Sequence, residues 1–222
     1  MDSTMIHLCS VTKSVESFAN GPSLMLRNAN ASIHLNSRVA LMGRNPAHLT
    51  TLLHLLAGSE KPDRGEIVSD RFRRSPVINC GPTGGNCLLN RLTAIENIEF
   101  FAEMNGLDPL HLIAMVEASC QFGNLLRQPV VKFDPLQRRA LEVALVSSVP
   151  YDCYFVDKMD TLKRKLIVQL FRAARENQAG VIFTANKASE VAEFAWMGVV
   201  VRDGSIQVFH RFKMAILAHE RH

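Results

Sequence analysis

The sequence predicts an α/β fold, in which a mixed β portion leads into a parallel-sheet core and a helical portion is inserted between. Three observations carry that expectation. Short strand-like runs separated by turn residues occupy the chain up to about residue 70. A strand, a glycine-started loop and a leucine-rich helix follow one another between Arg38 and Gly58. From Tyr151 onward strand-like and helix-like segments alternate, the pattern of buried parallel strands joined by crossover helices.

The elements follow in order. IHLCSV (Ile6 to Val11), ASIHL (Ala31 to Leu35) and RVALMG (Arg38 to Gly43) combine β-branched and apolar residues between turn signals and read as strands. LTTLLHLLAG then sets Leu49, Leu52, Leu53, Leu55 and Leu56 at helical spacing, with Gly58 as a stop before a strand in GEIVS. From about Thr93 to Ser148 three helices are expected, AIENIEFFAEMNG, PLHLIAMVEAS and PLQRRALEVALVSS, the last begun by Pro135, whose missing N–H costs nothing in a first turn. Beyond them, YDCYFVD, GVIFTA and WMGVVVRDGSIQVF read as strands, the last folded into a hairpin at Asp203 and Gly204. TLKRKLIVQLFRAARENQ, KASEVAEFA and RFKMAILAHE read as helices. The expected organisation is one domain over residues 1–222, with a core from about 1–92 and 151–222 and a helical portion from about 93–150.

Composition narrows the function classes. A chain of 222 residues with 47% apolar and 21% charged residues buries a core without staples, which excludes disordered regulators and metal- or disulfide-held mini-folds. Cys9, Cys80, Cys87, Cys120 and Cys153 are scattered, with neither a CxxC pair nor a secreted framework, and are expected as reduced thiols. MDSTMIHLCS lacks a basic region followed by a long apolar one, and no later run approaches the ~18 apolar residues of a bilayer span. A cytoplasmic protein is expected, at a membrane only through a partner. The net charge of +4 permits an anionic ligand. The short clusters Arg71, Arg73, Arg74 and Lys163, Arg164, Lys165 lack interleaved aromatics, so nucleic acid is not an expected partner.

The junction between RVALMG and the leucine helix is where a phosphate loop belongs, because N–H groups at a helix start cradle phosphate oxygens. The string there, GRNPAHLTTLLHLLAG, resembles GRNGAGKSTLLRLLAG, the phosphate loop of ABC-transporter ATPases, through Gly43, Arg44, Asn45, Ala47, Thr51 and the leucine helix. Pro46 and His48 stand at two glycines of that loop and Leu49 at its lysine. The likeness covers nearly the whole chain. AGSEKPDRGEI is similar to AGTERPDSGRI, and PYDCYFVDK to DFDCYLIDE, strings of the ATP-binding subunits of capsular-polysaccharide exporters. The resemblance implies an ABC-type P-loop nucleotide-binding-domain fold with a RecA-like parallel core.

In register with that family, Val15 takes the place of the aromatic that stacks on adenine. KFDPLQRRALEVAL (Lys132 to Leu145) aligns with the signature segment, so that Asp134, Pro135 and Leu136 replace its donors while Arg138 persists. Asp157 keeps the magnesium-positioning aspartate, Lys158 stands at the water-polarising glutamate, and Asn186 at the histidine that contacts γ-phosphate. A charge-assisted phosphate contact contributes about 2 to 3 kcal/mol, so Leu49 alone implies roughly a hundredfold loss of triphosphate affinity. The expectation is a protein that is not an enzyme, binds neither ATP nor Mg²⁺ well, and serves as a regulatory or scaffold subunit of a bacterial polysaccharide export or synthesis system.

Its expected anion cleft comprises Gly43, Arg44, Asn45, Pro46, His48, Leu49, Thr50, Thr51, Asp157, Lys158 and Asn186, and its dimer face Asp134, Pro135, Leu136, Gln137, Arg138 and Lys163. A second copy or an ABC ATPase-like subunit is the implied partner, with Asp134 reaching Arg44 or Lys158 across the interface, and an exporter membrane subunit another. Asp134 equally reads as a cap of the helix begun by Pro135. An alternative function is a sensor of a nucleotide-type anion such as a cyclic dinucleotide or sugar nucleotide, with Arg71, Arg73 and Arg74 supplying guanidinium contacts. A weak, atypical ATPase ranks third.

Overall fold

The computed structural model describes residues 5–15, 21–69, 73–79 and 87–220. Two strands, β1 (Met5–Val15) and β2 (Ser23–His34), pair antiparallel. Ile6, Leu8 and Val11 of β1 are buried. The two-residue period is interrupted at Ser10, whose φ of 52° makes a bulge that shifts register between Leu8 and Val11 and returns Val11 to the inner face. β1 is the middle strand of a three-stranded sheet, flanked by β2 and by β4 (Arg64–Ser69), with β3 (Arg38–Gly43) and α1 (Pro46–Ala57) lying between them in the chain. Gly65 of β4 has φ of +78° and fits because a Cβ there would lie 2.4 Å from the Ser10 carbonyl oxygen.

The larger sheet has six strands in the order β5 (Arg74–Asn79), β6 (Cys153–Asp157), β7 (Gly180–Thr184), β3, β8 (Met197–Arg202) and β9 (Ser205–Phe209). All pair in parallel except β9, which hairpins onto β8 through Asp203 and Gly204 at φ of 48° and 78°, the left-handed pair that a tight hairpin turn needs. Every residue of β6 and β7 is buried, as parallel strands covered on both faces require.

Each face of this sheet has its own core. On one, the five leucines of α1 pack between Val39, Leu41, Phe155 and Ile182 of the large sheet and Ile6, Met25 and Ile33 of the small one. The helix is thus sandwiched, and each fully buried leucine contributes about 1.5–3 kcal/mol. On the other face lie α2 (Ala94–Asn105), α3 (Pro109–Cys120), α4 (Pro135–Ser147), α5 (Arg164–Glu176) and α6 (Phe212–Glu220). Thr93 and Glu96 form a capping box at the start of α2, and Asp108 caps α3 by accepting from the N–H groups of Leu110 and His111.

Two elements differ from expectation, and a third, β5, forms where no element was expected. RSPVIN forms β5 although Pro76 argues against a strand; the proline is tolerated because β5 is an edge strand paired on one side only. β2 begins at Ser23, eight residues before ASIHL, because pairing with the long β1 extends it. KASEVAEFA is not a helix but a single 3-10 turn over Ala188–Val191. The N–H groups of Asn186 and Lys187 are taken by the Asp160 carboxylate at 3.0 and 3.3 Å, so a neighbouring loop rather than a helical ladder satisfies that backbone.

Among the described residues Cys9, Cys87, Cys120 and Cys153 are free thiols, and burial pushes the Cys120 thiol up to about 12; Cys80 lies outside the described residues. Among the same residues no helix is long and apolar enough to cross a membrane.

Candidate functional site

The parallel strands β3, β6 and β7 end side by side, and α1 starts directly above them. β3 closes on Gly43, where a Cβ would lie 3.0 Å from the Val201 carbonyl oxygen and 3.1 Å from Leu49 Cδ2, so the chain passes close under the helix only because the side chain is missing. Asn45 is the N-cap of α1: its Oδ1 accepts from the Ala47 N–H at 3.0 Å, and Pro46 follows at the first helical position. Leu49 is 4% exposed and faces the leucine core. Thr51, next to Thr50, is half-buried.

Thr50 turns the other way. Its hydroxyl donates to Asp157 Oδ1 at 3.0 Å, and the Thr184 hydroxyl, from the end of β7, donates to the same oxygen at 2.6 Å. The Lys158 N–H in turn donates to Thr184 Oγ1 at 2.7 Å, and Lys158 holds φ of 52°, turning the chain away from β6. Asp157 is 2% exposed. These groups floor a cavity of about 100 Å³ bordered by Arg44, Pro46, Lys158 and Asn186. Asn186 is oriented through its Asp160 bonds.

Arg44 also lines a larger cavity of about 430 Å³ between β2, the start of α1 and the β8–β9 turn, with Arg27, His48, Arg202 and the apolar walls Leu24 and Met25. His48 Nε2 and Ser23 Oγ share a hydrogen bond of 2.8 Å, and burial holds the imidazole below its ordinary pKa. Val15 pairs with Ser23 across the sheet and packs against the α1 core.

Of the residues expected in one cleft, Gly43, Arg44, Pro46, Leu49, Thr50, Asp157, Lys158 and Asn186 line the small cavity, Asn45 and His48 line the larger one, and Thr51 lines neither. Those of the expected dimer face separate into roles. The Asp134 carboxylate accepts from the N–H groups of Leu136 and Gln137, both at 2.8 Å, and the Gln137 amide oxygen accepts from the Asp134 N–H at 3.0 Å, a complete capping box ahead of Pro135. Arg138 donates to the Val130 carbonyl at 3.2 Å. Leu136, Gln137 and Lys163 line a separate groove between α4 and α5.

The expected ligand contacts of Arg73 and Arg74 are corrected. Arg74 pairs with Cys153, at the amino end of the strands and so at the opposite edge of the sheet from Asp157. Its guanidinium bonds Ser69 Oγ and packs under Gly58, while Arg73 donates to the backbone and side chain of Asn105 at 3.0 and 2.9 Å. Arg71 lies outside the described residues, as does the stretch 80–86.

Sequence reasoning missed Thr184, Arg27 and Arg202. Thr184 ends a parallel strand one register step from Asp157, a signal legible once β6 and β7 are paired; the two arginines carry no local signal.

The comparisons with known proteins give the fold a context. No family model matches the chain. The chain is 25% identical over 199 residues to the ATP-binding protein BexA of Haemophilus influenzae, covering 87% of each chain. To the polysialic acid transport ATP-binding protein KpsT of Escherichia coli it is 26% identical over 208 residues, covering 91% of this chain and 90% of the relative. The ATP-binding subunit of an ABC transporter superposes with a TM-score of 0.74 at 15% identity, over 97% of this chain and 93% of that one. An ATP-binding cassette in a post-hydrolysis state bound to ADP and Pi superposes with a TM-score of 0.67 at 18% identity, over 93% of this chain and 98% of that one. The fold is that of an ABC ATPase nucleotide-binding domain. The expectations of a non-enzyme and of no ATP or Mg²⁺ cofactor are overturned by these findings, since the similar proteins are named ATP-binding and a fold neighbour is solved with nucleotide product.

Proposed function

We propose that this chain, built on the ABC-type nucleotide-binding fold, is the ATP-binding subunit of a bacterial capsule-type polysaccharide exporter. The observation that carries the reading is the Thr50–Asp157–Thr184 cluster at the carboxyl ends of three parallel strands beneath the start of α1. Ligands of α/β sheets bind at this edge, and a hydroxyl beside a buried carboxylate is a hard oxygen donor set. It fits a magnesium ion, which the Thr50 hydroxyl and the Asp157 carboxylate would hold.

Mg²⁺, when bound, neutralises charge that develops on the phosphates. The chain's own residues do the rest. Thr184 and Thr50 orient the Asp157 carboxylate by donating to its Oδ1. Arg44 and Lys158 border the cavity and supply the positive charge that phosphate requires, in place of the buried Leu49. The assembly belongs to the same reading: two copies, or this chain with an ABC ATPase-like subunit, docked on an exporter membrane subunit at the inner membrane, with residues 93–150 as the helical portion of a single domain. A second reading, a sensor of another nucleotide-type anion, is favoured by the 430 Å³ cavity, which Arg27, Arg44 and Arg202 line, Arg202 standing 3.8 Å from the Asp203 carboxylate.

Thermal unfolding tests the first reading. Saturating ATP with Mg²⁺, at about a hundred times Kd, stabilises by ~2.7 kcal/mol, or roughly 5–10 °C for a chain this long. Asp157→Asn keeps an acceptor for both hydroxyls and is expected to lose the magnesium-dependent part of that shift and any phosphate release. A melting temperature indifferent to ATP with Mg²⁺ sinks the reading, and a shift with a cyclic dinucleotide or sugar nucleotide alone transfers support to the second.

A further inference from the structure

A ladder of cations and rings runs along α5, and its Arg38 end stands at the amino ends of the parallel strands, opposite the cleft. The Arg38 guanidinium, from the first residue of β3, sits between the rings of Trp196 and Phe171, 4.5 and 4.8 Å from their centroids. Phe171 stacks on Phe194 at 5.2 Å and 14°, and Arg164 closes the ladder 5.7 Å above Phe194. The two ends are neutralised differently. Arg164 forms a two-pronged pair with Glu193, at 2.5 and 3.0 Å. Arg38 makes no ion pair among the described residues, and neither does Arg175, which faces it from the last turn of α5. The adjacent acid, Glu176, is turned to Arg172 at 2.9 Å.

Between Arg38 and Arg175 opens a cavity of about 200 Å³, completed by the amides of Asn36 and Gln178 and by Trp196, which is 57% exposed. Two guanidiniums converging without a carboxylate form a fork suited to a tetrahedral dianion, and an exposed indole offers a face for a ring. The volume lies below the 300–1,000 Å³ of sites that hold drug-sized ligands, so a phosphate with one small ring fits and a whole nucleotide does not. Burial first, then the charge of Arg175, lowers the Arg38 pKa, a penalty that a bound anion relieves.

We propose that this cavity binds a phosphorylated monosaccharide, its phosphate held by Arg38 and Arg175 and its ring against Trp196. The site stands on the far side of the sheet from Asp157, six residues of β3 away or about 20 Å, and owes nothing to the nucleotide reading.

Trp196 is the only tryptophan in the chain, so its emission reports this cavity alone. The full chain is titrated with glucose 6-phosphate, with inorganic phosphate, and with glucose and sodium chloride at matched ionic strength. Glucose 6-phosphate is expected to change the emission saturably, inorganic phosphate to do so at least tenfold more weakly, and glucose and chloride not at all. Arg175→Ala, an exposed position that leaves the ladder intact, is expected to raise the half-saturating concentration at least tenfold, and Arg38→Lys to do the same by replacing the fork with a point charge. No saturable change with either phosphate, an equal response to glucose, or unaltered binding by Arg175→Ala overturns the site. Equal half-saturation by inorganic phosphate overturns the sugar.

Discussion

Replacing Asp134 by alanine separates two readings of one carboxylate, a helix cap and a charge that reaches across a dimer. In the structure the carboxylate satisfies two backbone donors at 2.8 Å each, and Gln137 accepts from the Asp134 N–H at 3.0 Å, so alanine abolishes the carboxylate half of the capping box and leaves the Gln137 bond, made to backbone, in place. N-cap substitutions by alanine cost about 1 kcal/mol, within 0.5–2, and for a domain of this length each kcal/mol lowers Tm by roughly 2–4 °C. Asp134→Ala is therefore expected to melt about 1–8 °C below the parent. Asp134→Asn keeps the acceptor and loses only the interaction of the charge with the helix dipole, about 0.3–1 kcal/mol. Scanning calorimetry of both variants, with sedimentation at equal concentration, reads the difference. If asparagine costs as much as alanine, or dissociates an assembly that the parent forms, the charge and not the cap is what the position supplies, and the reasoning from geometry fails.

Two further outcomes follow from packing and burial. Gly180→Ala places a Cβ 1.7 Å from the Leu35 carbonyl oxygen and 2.7 Å from that of Ser37, backbone atoms that cannot rotate away, so a loss of at least about 3 kcal/mol is expected; a denaturation midpoint equal to the parent's refutes the clash. Because burial lowers the folded-state pKa of His48 below its ordinary 6.5, the unfolded chain takes up that proton first as pH falls. Stability present above about pH 6.5 is expected to decline as the pH drops through that value, and His48→Gln to flatten the decline; an identical pH profile for variant and parent refutes the assignment.

The cleft was largely legible before the fold was known, because a phosphate loop is a local object: strand, turn and helix start are contiguous, and Gly43 to Thr51 arrive together whatever else the chain does. Asp157 was legible for the same reason, at the end of an apolar run. Thr184 was not, since nothing in GVIFTA distinguishes a core threonine from one aimed at a carboxylate until β7 is laid beside β6. The arginines of SDRFRRSP show the converse. Their density suggested a ligand surface, whereas Arg74 is committed under Gly58 and Arg73 to Asn105, because β5 begins at the end of the sheet that faces away from the cleft. Pro76 hid that strand, and only its place at an edge explains why it forms.

Periodicity and turn chemistry by themselves determined the α/β class, the leucine helix with its Gly58 stop, the Asp203–Gly204 hairpin and the helix start at Pro135, because each depends on residues within a few positions of one another. Tertiary structure alone decided which side chains share a cavity. Arg38 comes from β3, Phe171 and Arg175 from α5 and Trp196 from the position just before β8, and no local preference orders such a set. Only the strand order of the parallel sheet, set by the burial of both its faces, draws them to one end of the molecule and leaves Thr50, Asp157 and Thr184 at the other.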